Sequence, residues 1–261
     1  MKGRNLMKPI RISYFKYPVL LVAVLVWVLI QALSAQAAYA NSGQALIDAA
    51  KKGDAAKVKA LLAKGADVNY QSRMGYTPLM RAAVKGHTAV VKMLLTEGAN
   101  VNYQSGTGYT ALIIASLNGH AAVVKLLLAK GADVSYQSMS NTALMRAADG
   151  GHVSVVKMLL AKGAKVNQQD SGGFTALMIA ATDGHMTLVK MLLAKGAKVN
   201  QQDEMGWTAL FRASFGGHPA VVKILLAKGA DDNHKTKLGE TALSLATNKE
   251  VLQLLKAAGA K

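Results

Sequence analysis

The sequence predicts an all-α solenoid of about seven stacked helix-turn-helix units, counting a cap at each end. Three observations carry this expectation. Thr77-Pro78-Leu79 recurs as Thr-Ala-Leu starting at Thr110, Thr142, Thr175, Thr208 and Thr241, at spacings of 33, 32, 33, 33 and 33 residues. A Gly-His pair stands nine residues after each Thr from Gly86-His87 to Gly217-His218, and Gly-Ala closes the units from Gly65-Ala66 to Gly259-Ala260. Three independent markers in one phase are the mark of a repeat architecture. The approximate units are 42–71, 72–104, 105–137, 138–169, 170–202, 203–235 and 236–261.

Each unit has a physical reading, shown here for the second. Thr77 is placed to cap a helix through its hydroxyl, and Pro78 stands at the first helical position, where no hydrogen bond is lost. Leu79, Ala82 and Ala83 let a short helix approach its neighbours closely. Gly86 ends it by taking the left-handed conformation that other residues resist. Val90, Val91, Leu94 and Leu95 form one apolar stripe on a second helix. Gly98 stops that helix, and residues 100–108 make an extended turn to the next unit. No unit can cover its own apolar face, so neighbours must stack.

These residues resemble the ankyrin repeat, whose pattern the stretch from Gly75 to Ser105 follows almost position for position. The resemblance covers residues 42–261. It implies an ankyrin-repeat solenoid of helix-turn-helix units joined by hairpin-like turns, with partner binding on a concave face. The family's usual His after Thr-Pro-Leu is replaced by Met80, Ile113, Met145, Met178, Phe211 and Ser244, which makes the inter-repeat packing more apolar. The fourth unit is one residue short in its turn and lacks the turn glycine, so that turn is expected to deviate, with Asn141 taking the left-handed role. The first unit, which lacks the tripeptide, and the last, with its short loop at Asn248 to Glu250, read as caps.

Upstream, residues 1–40 read as a secretory signal peptide. A basic stretch reaching Lys16 precedes the 12 apolar residues Val19 to Ile30, shorter than the roughly 20 needed to span a bilayer as a helix. Ala38-Tyr39-Ala40 offers small residues for cleavage after Ala40. The expected location of residues 41–261 is therefore periplasmic or secreted. An uncleaved N-terminal anchor is the alternative.

Chemistry other than binding finds little support. The absence of cysteine excludes disulfides, thiolate metal sites and cysteine nucleophiles. Five of the six histidines share one frame position, the exception being His234, and a ladder of equivalent residues does not converge on a metal. No Ser/His/Asp grouping or phosphate loop is present. The expectation is no enzyme, no cofactor and no small-molecule substrate. Met80, Met145 and Met178, like Met93, Met158 and Met191, repeat at fixed helical positions and read as core filling. Lys165 and Lys198 replace a turn Asp in two units where Asp170 and Asp203 appear, which suggests local charge pairs.

Residues 41–261 hold 26 Lys and Arg against 14 Asp and Glu, a charge of +12. Ten lysines form two columns on the second helices: Lys92, Lys125, Lys157, Lys190 and Lys223, and Lys64, Lys130, Lys162, Lys195 and Lys228. The second column favours the negative helix end. These columns read as a solvated face, with weak attraction to anionic surfaces as a side effect.

The positions outside the frame carry the functional expectation, a monomeric, exported scaffold for a protein partner. Its alternative is a basic adaptor for anionic lipid, polysaccharide or nucleic acid. Before the Thr caps stand Tyr76, Tyr109, Asn141, Phe174, Trp207 and Glu240, four of them aromatic. At the far ends of first helices stand Lys85, Leu117, Asn118 and Phe215. Turn tips offer Arg73, Met74, Thr107, Glu204 and Met205. The rings form an apolar track for a partner or pack partly on adjacent turns. Arg81, Arg146 and Arg212 occupy one first-helix position in alternate units, a pattern that fits an acidic partner or a duplication of paired repeats.

Overall fold

The computed structural model describes residues 18–138 and 141–261. Two compact units are distinguished, residues 1–42 and 43–261. In the first, the helix α1 (Pro18–Lys52) begins, and its apolar side chains from Val22 to Ile30 are exposed. No described helix is long and apolar enough to cross a membrane. The basic stretch through Lys16 lies outside the described residues, as do the side chains of Ala38 and Ala40.

In the second unit the helices form two rows. The inner row runs α3 (Pro78–Lys85), α5 (Ala111–Leu117), α7 (Ala143–Asp149), α9 (Ala176–Thr182), α11 (Ala209–Phe215) and α13 (Ala242–Leu245), each on the next. The outer row runs α2 (Ala55–Ala63), α4 (Thr88–Thr96), α6 (Ala121–Ala129), α8 (Val153–Ala161), α10 (Met186–Ala194), α12 (Pro219–Ala227) and α14 (Lys249–Ala258). Every inner helix begins on the predicted Thr cap, as where Thr77 Oγ1 accepts the Met80 N–H. The residues that replace the family's His are fully buried from Met80 to Phe211, and only Ser244, in the terminal cap, is exposed. Met93, Met158 and Met191 are half-buried rather than core, because they face the furrows between outer helices.

Two kinds of tie lock successive units together. The frame histidines His87, His120, His152, His185 and His218 bond through Nε2 to the carbonyls of Lys51, Val84, Leu117, Asp149 and Thr182, at 3.1, 3.0, 3.0, 3.2 and 2.8 Å. A carbonyl only accepts, so Nε2 carries the proton in each. The ring lies against the preceding unit's helix-ending glycine, where a Cβ on Gly119 would come 2.5 Å from His152 Nδ1.

The second tie is an asparagine clamp. Asn167 Oδ1 accepts the Lys198 N–H at 2.8 Å while its Nδ2 donates to the Gly196 carbonyl at 3.0 Å. Asn69, Asn102, Asn200 and Asn233 make the same pair of bonds one unit onward. At the junction of the third and fourth units Ser135 stands in this position and is too short to reach. It bonds back to Asp133 Oδ1 instead, and these bonds, the hydroxyl first and then the backbone N–H, hold the Asp133 carboxyl below its ordinary range. The deviation expected in the fourth turn falls at the same junction. There β1 (Gln137–Ser138) pairs antiparallel with β2 (Asn141–Thr142), Ser138 opposite Asn141. Asn141 is thus extended in a strand, not left-handed, because the shorter turn is closed by a strand pair. Restoring the clamp with Ser135→Asn is expected to raise the unfolding free energy by about 1–2 kcal/mol, the net value of two hydrogen bonds, read as a higher urea midpoint.

Candidate functional site

Every turn but that of the fourth unit, where Ser138 Oγ donates to the Thr107 carbonyl instead, is closed at its first residue by a side-chain oxygen. Ser72 Oγ and Ser105 Oγ accept the N–H of Tyr76 and Tyr109 at 3.1 and 3.0 Å. Asp170 Oδ1 and Asp203 Oδ1 accept those of Phe174 and Trp207 at 2.8 and 2.9 Å, and Thr236 Oγ1 accepts that of Glu240 at 3.2 Å. The two aspartates therefore belong to the Ser/Thr column of turn closers and are not partners of Lys165 and Lys198. Among the described residues the ion pair is Arg212 with Asp203. Successive tips are also joined, Gly106 N–H to the Met74 carbonyl at 2.9 Å and Glu204 N–H to that of Gly172 at 3.0 Å.

This turn geometry sets the residue before each Thr cap beside the inner helix of its unit. Tyr76, Tyr109, Phe174 and Trp207 are half-buried there. The alternating arginines cover these rings. Arg81 stacks over Tyr76 at 4.0 Å, and Arg212 lies between Phe174 at 4.2 Å of the preceding unit and Trp207 at 4.6 Å of its own. The fourth unit has Asn141 in place of a ring. Arg146 reaches back to Tyr109 instead, with the guanidinium 6.0 Å from the ring centroid and Nη2 donating to the phenol oxygen at 3.1 Å. Each desolvated cation–π contact contributes about 0.5–2 kcal/mol. The alternating arginines thus have an intramolecular role, and Arg212 alone among them spans two rings.

The densest part lies at the sixth unit. Trp207 packs on buried Phe211 at 5.7 Å and meets Phe215 edge-on at 5.6 Å. His234, the histidine outside the frame, bonds the Gly206 carbonyl through Nε2 at 2.9 Å and borders Phe211 at 6.3 Å. Phe215 remains 60% exposed and Met205, on the adjacent tip, 51%. Arg212 is fixed from both sides, by rings and by the carboxylate of Asp203, whose side chain is 1% exposed. Together these residues make a rigid apolar projection with a neutralised cation in its wall.

The other predicted residues fall along the same inner-row face. Arg73, Met74, Lys85, Thr107, Asn118 and Glu204 are exposed, and Leu117 is half-buried with its carbonyl taken by His152. Thr107 Oγ1 lies 3.1 Å from Ser105 Oγ, and Asn118 Nδ2 donates to the Ile114 carbonyl at 2.8 Å, so these two are partly engaged within the chain. Met74 stands away from the aromatic cluster on the second unit's tip. Asp203 was not among the predicted site residues. Its signal is the shared column with Ser72, Ser105 and Thr236. Among the described residues no group of three His, Asp or Glu side chains converges as a metal site would require.

On the outer row, the lysines of both columns are exposed, and Lys59 adds another member to the first.

Compared with known proteins, the chain matches a family profile described as ankyrin repeats in three copies, over residues 23–105, 98–170, 144–236 and 177–261. A search of curated proteins finds no match. Among solved structures it is similar to the crystal structure of the human ASB11 ankyrin repeat domain, with a TM-score of 0.78 and 31% identity, covering 83% of this chain and 98% of that one.

Proposed function

Because the chain belongs to the ankyrin-repeat family, we propose that it is an exported scaffold that binds a protein partner through its inner-row face and turn tips, centred on Trp207 and Phe215. Ankyrin repeats are in general protein-interaction modules, and the fold is that of a binding scaffold. The observation that carries the assignment to this face is the exposed Phe215 held edge-on by Trp207, with a second exposed apolar side chain, Met205, two residues before that Trp on the turn tip. An aromatic anchor already fixed by packing loses little rotamer freedom on binding, which is the character of an interface hot spot. Large exposed apolar groups gathered on a rigid support mark interaction sites. Export is supported by the basic stretch, the short apolar run and the small residues ending at Ala40. Mass measurement of the chain from its own cell is expected to find Asn41 as the first residue. Retention of residues 1–40 favours anchoring instead.

Phe215→Ala with Met205→Ala tests the site. Both side chains project outward, so the melting transition is expected to move by less than about 1 kcal/mol in free energy. Affinity for the partner captured by the unaltered chain is expected to fall about 30-fold, the effect of removing a hot spot. Unchanged affinity places the interface elsewhere. Trp207→Ala is a poorer probe, since it also strips the packing of Arg212 and Phe211.

A further inference from the structure

The outer helices of the third to sixth units have a chemistry unlike the rest of the surface. In α6, α8, α10 and α12 there is no Asp, Glu, Arg or aromatic residue. Each carries one lysine mid-helix and a second at its C-cap, and all of these are exposed. The two columns meet across the furrow between α6 and α8. Lys125 of one unit and Lys162 of the next border a furrow floored by Leu128, Met158 and Ala161. A cationic rim over an apolar, methionine-containing floor is therefore present between α6 and α8, and the same two exposed lysine positions continue along α10 and α12.

We propose that this outer-row face docks on an anionic phospholipid membrane. The complementarity is one of charge: lipid headgroups present diffuse negative charge, which strongly hydrated point-charge lysines match without fixed geometry. Lysine stems and the furrow floor supply apolar contact at the headgroup level, while the ammonium groups stay in water. Nucleic acid fits this face less well. Its recognition draws on arginine forks and on aromatic platforms for bases, and these helices hold neither. The inference is independent of the protein-binding reading, which concerns the opposite row.

The test is sedimentation of the full chain with phosphatidylcholine vesicles, with and without about one-third phosphatidylserine. The exposed apolar segment at Val22 to Ile30 acts on both vesicle types and cancels in the ratio of the two partition constants, and the basic stretch through Lys16, common to every variant, cancels when variants are compared. The unaltered chain is expected to favour the anionic vesicles and to lose that preference steeply with added salt. The variant Lys157→Gln, Lys162→Gln, Lys190→Gln, Lys195→Gln is expected to lower the ratio by about 600-fold, at about fivefold per lysine. The variant Lys51→Gln, Lys52→Gln, Lys235→Gln, Lys237→Gln carries the same net charge and is expected to lower it by less than about fivefold. Equal losses in the two variants would show that net charge alone acts and would overturn the proposal. So would no preference for anionic vesicles in the unaltered chain, or tighter binding to duplex DNA that the first variant alone abolishes. If the first variant melts early, the double variant Lys157→Gln, Lys190→Gln takes its place, with a loss of about 25-fold expected and a loss no larger than that of Lys235→Gln, Lys237→Gln overturning the proposal.

Discussion

Arg212→Met is expected to lower the unfolding free energy by about 3 kcal/mol, the cost of stranding one partner of a buried ion pair. Asp203 is enclosed, and its carboxylate is satisfied by the N–H groups of Met205 and Trp207, both at 2.9 Å, and by the guanidinium. Methionine fills much of the arginine's volume and still touches Phe174 and Trp207, so the loss is mostly the uncompensated charge. Adding Asp203→Ser, the closer used in the second and third units, is expected to recover about 2 kcal/mol of it. Arg146→Met makes a useful contrast. Its partner is a phenol, and its loss is expected to cost about 1 kcal/mol. Urea midpoints of the three variants read these differences. Equal losses for Arg212→Met and Arg146→Met would contradict the assignment of a buried pair to the sixth unit. The same variant should loosen the wall behind Phe215, so partner affinity is expected to fall with stability.

Gly119→Ala is the second large effect, about 3 kcal/mol in two parts. The left-handed backbone, φ 70°, costs about 1–2 kcal/mol with a Cβ. The new Cβ also collides with the His152 ring and displaces it from the Leu117 carbonyl, which adds a lost hydrogen bond and lost packing. Gly131→Ala separates the parts, because φ is 80° there and nothing lies within 4 Å of the added Cβ. It is expected to cost only the backbone share. In a His152→Ala background the cost of Gly119→Ala should fall to that same share, giving a coupling energy of about 1–2 kcal/mol. Strict additivity would contradict the interlock of ring and glycine.

The helical frame was legible because its determinants are local. Thr caps, stop glycines and the Val90, Val91, Leu94, Leu95 stripe each act within a few residues, and all of them appear where the period placed them. Contacts between units were not legible in the same way. His152 could be seen to recur, but its bond to Leu117, 35 residues back, exists only once the rows are stacked. Periodicity likewise fixes a helical position without fixing depth, which is why Met158 shares the regularity of Met145 yet faces a furrow. Asp203 was paired with Lys198 because the two substitutions fall in one turn. Its role follows instead from the column it shares with Ser72 and Ser105, a turn-closing column that an ionised carboxylate fills with an added charge. That charge is what Arg212 answers. The aromatic column was visible as residues, while the arginine layer over it required geometry, since Arg146 serves the ring of the preceding unit.

Site-specific photo-crosslinking in the native cell tests the central claim most directly. A photoreactive phenylalanine at position 215, on the exposed end of α11, is expected to give a discrete protein adduct. The same group in place of Lys223, on the outer helix of that unit, is expected to give none of that adduct. An identical adduct from both positions, or from position 223 alone, would contradict a partner-binding face built on the inner helices and turns.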